Sequence, residues 1–228
     1  MKFGQKIVLT AWLLAIAVVF IPLSAAASPI LADLTGTRST PSTSGLTADP
    51  ALGTWDNGGF SIAWVITANA DTLPDYHYKY TITTPTVGGP DLSNWVLEIT
   101  AGKTVADFAN IELNGSTYTV LAGTYDSLGN QDLPDPIYGI KFDDVPPDNN
   151  VNIFEFDTDL PPVWGDFGAK GGQQLVYNKG IAVDPEVPVN TINYIARPDG
   201  ALVPLPATLP LVGSGLVVLG YWGYRRRS

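Results

Sequence analysis

His77 is the only histidine in this 228-residue chain, and cysteine is absent. These two facts remove much metal and nucleophile chemistry. No thiolate zinc site, catalytic cysteine or iron–sulfur ligand can be built, and no pair of imidazoles can share a metal. A Ser-His-Asp triad would have to use His77. That residue lies on the polar side of its run, and no Gly-x-Ser-x-Gly elbow accompanies it; an exposed histidine is the plainer reading. Carboxylates remain. Two acids at a suitable separation hydrolyse glycosides, and Glu98 and Asp166 are one available pair, but 22 acids supply such pairs by chance. The chain is therefore read as a non-enzyme, with a secreted glycoside hydrolase or lyase as a remote alternative.

Residues 126–166 hold ten acids against a single cation, Lys141. Calcium takes carboxylate and carbonyl oxygens, often from loops. Asp143, Asp144, Asp148, Asp157 and Asp159 flank one expected hairpin and are the candidate calcium ligands. Their order is not that of an EF-hand, and a solvated acidic surface explains the same residues. No other cofactor is expected. In Pro161-Pro162-Val163-Trp164-Gly165-Asp166-Phe167, Trp164 could stack on a sugar with Asp166 as a polar handle, which would make the body a carbohydrate-binding module. The competing reading is a loop tryptophan that plugs one end of the fold.

The elements that position these groups are strands. Phe60, Ile62, Trp64 and Ile66 share one face. Tyr76, Tyr78, Tyr80 and Ile82 oppose His77, Lys79, Thr81 and Thr83, a period of two that predicts a half-buried strand. Trp95, Leu97 and Ile99 alternate in the same way. Further strands are expected near 117–121, 137–142, 151–156, 174–178 and 190–196, with one short helix at 104–110 opened by Thr104 and Asp107 at capping-box spacing. Asn57-Gly58-Gly59, Gly88-Gly89-Pro90 and Gly171-Gly172 punctuate the runs. Asn114-Gly115 suits a type I′ hairpin, in which both central residues take positive φ. It also matches a glycosylation sequon with Ser116, but the turn suffices to explain it. The expected class is all-β, an antiparallel β-sandwich or jelly-roll-like body over 53–200. Residues 28–52, rich in Ser, Thr and Pro, read as a flexible lead.

Both ends carry addresses. Lys2 and Lys6 precede the apolar stretch 7–21, Pro22 ends it, and Ala25-Ala26-Ala27 offers small residues before Ser28. This is a signal peptide, 1–27, cut by signal peptidase at Ala27–Ser28 or one residue earlier. At the other end, residues 203–228 combine Val203-Pro204-Leu205-Pro206-Ala207, an apolar run over 209–224, and Arg225-Arg226-Arg227. Sixteen helical residues reach ~24 Å, short of the ~30 Å hydrocarbon core. Tyr221, Trp222 and Tyr224 suit the headgroup layer, and the arginines snorkel and stay on the cytoplasmic side. With leader and tail set aside, seven cations face all 22 acids, a charge of −15 on the exported body. Such a body repels nucleic acid.

The tail resembles the PEP-CTERM sorting signal in its VPLPA variant. The resemblance implies an exosortase-like membrane protease as partner, cleavage near Pro206-Ala207, and delivery to the cell surface or an extracellular polysaccharide matrix. It implies a structural or adhesive role there, with exopolysaccharide as a second partner. The glutamate of the PEP form is missing, with Leu205 in the middle of the motif. The body also resembles a group of PEP-CTERM proteins, through Pro162-Val163-Trp164-Gly165-Asp166-Phe167, Asn94-Trp95-Val96-Leu97-Glu98, Tyr138-Gly139-Ile140-Lys141-Phe142-Asp143 and Tyr177-Asn178-Lys179-Gly180. Where that group usually has His and Tyr, this chain has Asn94 and Gly168. The second likeness supplies architecture and address, and no chemistry.

Overall fold

The structure is a computed structural model that describes residues 34–41, 45–49, 53–69, 74–127, 132–147, 149–181 and 191–199. The leader with its Ala27–Ser28 bond, Asp148, the Val203–Ala207 motif, the apolar run and Arg225–Arg227 lie outside them. Among the described residues, no helix is long and apolar enough to cross a membrane.

The fold is all-β and antiparallel. Its strands are β1 (Leu34–Ser39), β2 (Leu46–Asp49), β3 (Ser61–Ala68), β4 (Tyr76–Thr83), β5 (Asn94–Glu98), β6 (Ala109–Leu113) and β7 (Ser116–Thr117). They continue with β8 (Val120–Tyr125), β9 (Ile137–Phe142), β10 (Val151–Thr158), β11 (Pro162–Gly165), β12 (Phe167–Gly171), β13 (Gln174–Asn178) and β14 (Ile195–Pro198). One six-stranded sheet runs β1-β3-β4-β10-β6-β7, a second runs β2-β13-β12-β5-β9-β8, and β11 pairs with β14 as a separate ribbon.

Alternation decides which residues meet between the sheets. On β3 and β4 every second side chain, Ile62, Trp64, Ile66, Tyr78, Tyr80 and Ile82, is buried. They join Trp95, Leu97, Ile140 and Phe142 of the facing sheet in one core. Phe142 meets Phe154 edge-on with centroids 4.9 Å apart, and Tyr80 meets Trp95 at 5.2 Å. Aromatic pairs of this geometry add roughly 0.5–1.5 kcal/mol each beyond simple burial. With no disulfide possible, this ring-filled core holds the body together.

A second, smaller cluster lies on the outer side of the second sheet. Val96, Ile137, Leu175 and Ile181 are covered there by Leu133, which is fully buried. Gly168 makes room for it, since a Cβ at that position would fall on the Leu133 side chain.

Turn chemistry follows the sequence. Asn114 and Gly115 both have positive φ, 52° and 76°, and join β6 to β7. Thr104 and Asp107 form the expected capping box, but the helix it opens is a single 3-10 turn, Val105–Asp107. The rest of the expected helix becomes β6, because pairing with β10 satisfies its backbone.

The flexible lead over 28–52 is corrected, and with it the domain start at 53. Residues 34–39 and 46–49 are strands of the two sheets. Pairing compensates for their weak apolar content. Gly36 sits opposite Trp64 in the register, and a Cβ there would fall inside the indole, so the small residue lets the ring lie under β1. Arg38 then fastens the strand. Its Nε donates to the Ile192 carbonyl at 2.7 Å and Nη2 to the Thr191 carbonyl at 2.8 Å. Its guanidinium lies 5.0 Å from the Trp64 ring centre, and burial lowers its pKa.

Candidate functional site

Two polar clusters stand out. The first is buried and centres on Arg197, at 7% exposure. Antiparallel pairing of β14 with β11 puts Arg197 beside Val163. The guanidinium reaches Glu98 at the end of β5, with Nε 3.1 Å from Oε2. Nη1 lies 3.7 Å from Asp199 Oδ2, and Thr100 donates its hydroxyl to the other Asp199 oxygen. Glu98 Oε2 also accepts the Asp166 amide at 2.7 Å. Asp166 Oδ1 in turn accepts Asn178 Nδ2 at 2.5 Å. Asn178, fully buried, completes the chain by accepting the Phe167 amide at 2.8 Å and donating to the Asn193 carbonyl at 2.9 Å. Gly165 belongs to the same design, because a Cβ there would fall on the Arg197 side chain.

Glu98 and Asp166, indistinguishable from twenty other acids in sequence, are thus brought together. What the arrangement does chemically is to hold charge still. Every carboxylate in it faces a guanidinium, an amide or a hydroxyl, and the ensemble ties β5, β11, β13 and β14 together. Just inside it, the Tyr80 hydroxyl donates to the Ala196 carbonyl and the Tyr78 hydroxyl to the Leu160 carbonyl, both at 2.8 Å. Burial pushes both phenols well above their ordinary pKa.

The second cluster lies on the outer face of the first sheet. In the register Thr67, His77 and Asp157 form one row across β3, β4 and β10. His77 Nδ1 donates to Asp157 Oδ1 at 2.7 Å, while Nε2 stands 3.6 Å from Glu155. Lys79 pairs with the same Glu155 at 3.1 Å. Asn110 Nδ2 holds the other Asp157 oxygen at 2.6 Å. A carboxylate that fixes one imidazole nitrogen is the orienting half of a triad. The other nitrogen stands beside a second carboxylate at 3.6 Å, too far for a hydrogen bond, so what the arrangement supplies is a polar tie between β4 and β10. Beside it, Lys103, Asp107, Asp157 and Asp159 line an open cleft of about 330 Å³ with Pro74, Phe108 and Leu160. Asp107 accepts the Thr104 amide at 2.8 Å, and that bond, aided by Lys103, lowers its carboxyl pKa.

Of the five calcium candidates, the four described ones, Asp143, Asp144, Asp157 and Asp159, do not share one place. Asp157 and Asp159 line the cleft, where Asp159 Oδ1 accepts the Asp75 amide at 3.2 Å. Asp143 follows β9 and pairs with Lys141 at 2.9 Å, and Asp144 adopts positive φ in the turn beyond it. Among the described residues, no three acids or histidines are grouped to hold a metal.

Trp164 is half-buried in β11, not in a loop, and packs edge-on against Trp64 with centroids 6.2 Å apart. Asp166, two residues on, is 7% exposed and bound to Asn178, so a sugar over the outer edge of Trp164 would not reach its carboxylate.

Thr100, Arg197 and Asp199 are not among the residues the sequence singles out, and Asn178 stands there only within the Tyr177-Asn178-Lys179-Gly180 string. The one local signal is an arginine two residues from an aspartate, Arg197 and Asp199, at the end of an otherwise apolar strand. Searches of family models, curated proteins and solved structures found no match to this chain.

Proposed function

We propose that this chain is an exported protein, held by a C-terminal membrane helix over 209–224 and released by an exosortase-like protease. Its body then serves as a structural or adhesive component of the cell surface or an extracellular polysaccharide matrix. The observation that carries this reading is the order of the tail, a VPLPA motif, an apolar run and three arginines. The end of the body fits that order. β14 ends at Pro198, and Asp199 is tied back to Thr100 and Pro161. Val203 follows four residues later, within about 14 Å of extended chain. Cleavage at the motif would therefore spare every strand. The polar clusters support a structural role, because their carboxylates are spent on fastening strands. In the first sheet β10 lies between β4 and β6, and in the second β13 and β12 lie between β2 and β5, a jelly-roll-like interleaving.

The test replaces Pro204 and Pro206 with alanine in a cell that carries an exosortase-type protease. The reading expects the variant to stay full-length in the membrane fraction while the parent is shortened and released. Equal processing of the two would refute the role of the motif.

A further inference from the structure

Two asparagines in the chain are followed by glycine, Asn57 and Asn114. Such a pair is chemically labile. The glycine nitrogen attacks the asparagine Cγ, ammonia leaves and a cyclic imide forms. Water then opens either carbonyl of the ring, giving aspartate or isoaspartate. Glycine favours the attack because no Cβ crowds its nitrogen. The sequence makes the two sites equal, and both pairs are exposed. The fold makes them different.

Asn114 is locked against β10. Its backbone N–H donates to the Ile153 carbonyl and its Oδ1 accepts the Ile153 amide, both at 2.8 Å. Just before it, Leu113 pairs with Phe154 on one side and Ser116 on the other. Attack on Cγ requires the carboxamide to leave Ile153 and a two-residue turn to open with it.

Asn57 lies in the turn Trp55–Gly59 between β2 and β3. Its backbone N–H and Nδ2 both donate to the Gly53 carbonyl, at 3.3 and 3.2 Å; these bonds stay within the loop and are longer than those at Asn114. With Asn57 at ψ 34°, the Gly58 nitrogen lies roughly opposite Cβ across the Cα–C bond. Ring closure therefore waits for the Asn57–Gly58 peptide to turn over. Space allows this. Gly58 has φ 82°, and a Cβ built on it would come no nearer than 3.7 Å to any atom beyond its chain neighbours. Trp55 and Phe60, both buried, hold the ends of the loop while its tip moves, and exposed loops open locally at much lower cost than paired strands.

We propose that Asn57 is a site of spontaneous modification, converted to aspartate and isoaspartate by its own backbone and water, and that Asn114 is protected by its pairing with Ile153. Conversion adds a negative charge to an already acidic body. Isoaspartate also lengthens the main chain by one carbon two residues from Trp55, whose Nε1 donates to the Pro90 carbonyl at 3.1 Å and whose carbonyl accepts the Thr40 hydroxyl. Ageing at this site loosens the seat of that indole. The inference follows from the sandwich alone and does not depend on the tether.

The experiment holds the full chain in detergent micelles at mildly alkaline pH, with a parallel sample in concentrated urea, and follows both sites over time by peptide mass spectrometry. In the folded chain position 57 converts, with an isoaspartate fraction, and position 114 converts at least about tenfold more slowly. In urea the two rates converge. Asn57→Gln, whose longer side chain resists this ring closure, removes the acidic species that appear on ageing and halts the accompanying fall in melting temperature. Equal rates at the two sites in the folded chain, faster conversion at 114, or no conversion at 57 while the urea sample converts would overturn the proposal. So would a gap between the sites that persists in urea, since the difference would then come from sequence and not from the fold.

Discussion

Replacing Arg197 with methionine should be among the most damaging single changes to the body. Methionine keeps the apolar stem of the arginine and removes its charge and donors. Glu98 and Asp199 are left with side chains only 22% and 11% exposed and without their cation. Breaking a buried ion pair from one side costs about 3–5 kcal/mol; the Asp166 amide on Glu98 and the Thr100 hydroxyl on Asp199 remain as partial compensation, which favours the lower end. A domain of this size has about 5–15 kcal/mol in hand, so a fifth or more of its stability would go. At 2–4 °C per kcal/mol the melting temperature should fall by about 10 °C. The assay is thermal unfolding followed by tryptophan fluorescence, with Glu98→Gln and the double variant completing a cycle. The double variant should lose less than the sum of the singles, with a coupling of about 1–3 kcal/mol. A melting point within about 2 °C of the parent for Arg197→Met, or strict additivity, would refute the idea that the cluster acts as one fastening.

Asn178→Ala should cost about 2–4 kcal/mol in chemical denaturation, since it strips the Phe167 amide and the buried Asp166 carboxylate of a partner at once. Gly168→Val should destabilise by about 1–3 kcal/mol by displacing Leu133 from the outer cluster, visible as faster proteolysis of the segment preceding β9. Burial raises the Tyr78 and Tyr80 pKa values in the folded state. Their contribution is full below the ordinary phenol pKa of about 10 and is lost as pH rises above it, so alkaline unfolding should coincide with a late step in tyrosinate absorbance at 295 nm. Asp107 has a lowered pKa. Its contribution is present above the ordinary carboxylate range and fades as pH falls through the folded value, so the small stability cost of Asp107→Asn at neutral pH should shrink in acid.

The fold was legible where the period was clean. The run from Tyr76 to Thr83 is β4 to the residue, 137–142 and 174–178 are β9 and β13, and Asn114-Gly115 makes its turn. It was illegible where glycine and hydroxyl side chains stand in for apolar ones. β1 reads as linker because its packing is supplied from outside, by Trp64 lying under Gly36. β11 and β12 were hidden by glycines at 165, 168 and 171, each of which admits a side chain from elsewhere: Arg197, Leu133 and Trp55. The buried cluster was less legible still. Glu98 and Arg197 are separated by nearly a hundred residues, and only the topology brings them together. Local spacing carries no trace of such a pairing, whereas the capping box at Thr104 and Asp107 is local and was readable.

The claim on which the functional account turns is that both ends are removed on the way out of the cell. Intact-mass measurement of the protein recovered from the cell exterior tests it most directly. The account predicts a species that begins near Ser28 and ends near the Val203–Ala207 motif, with β1 through β14 retained. A full-length mass, or recovery of the whole chain from the cytosol alone, would contradict it.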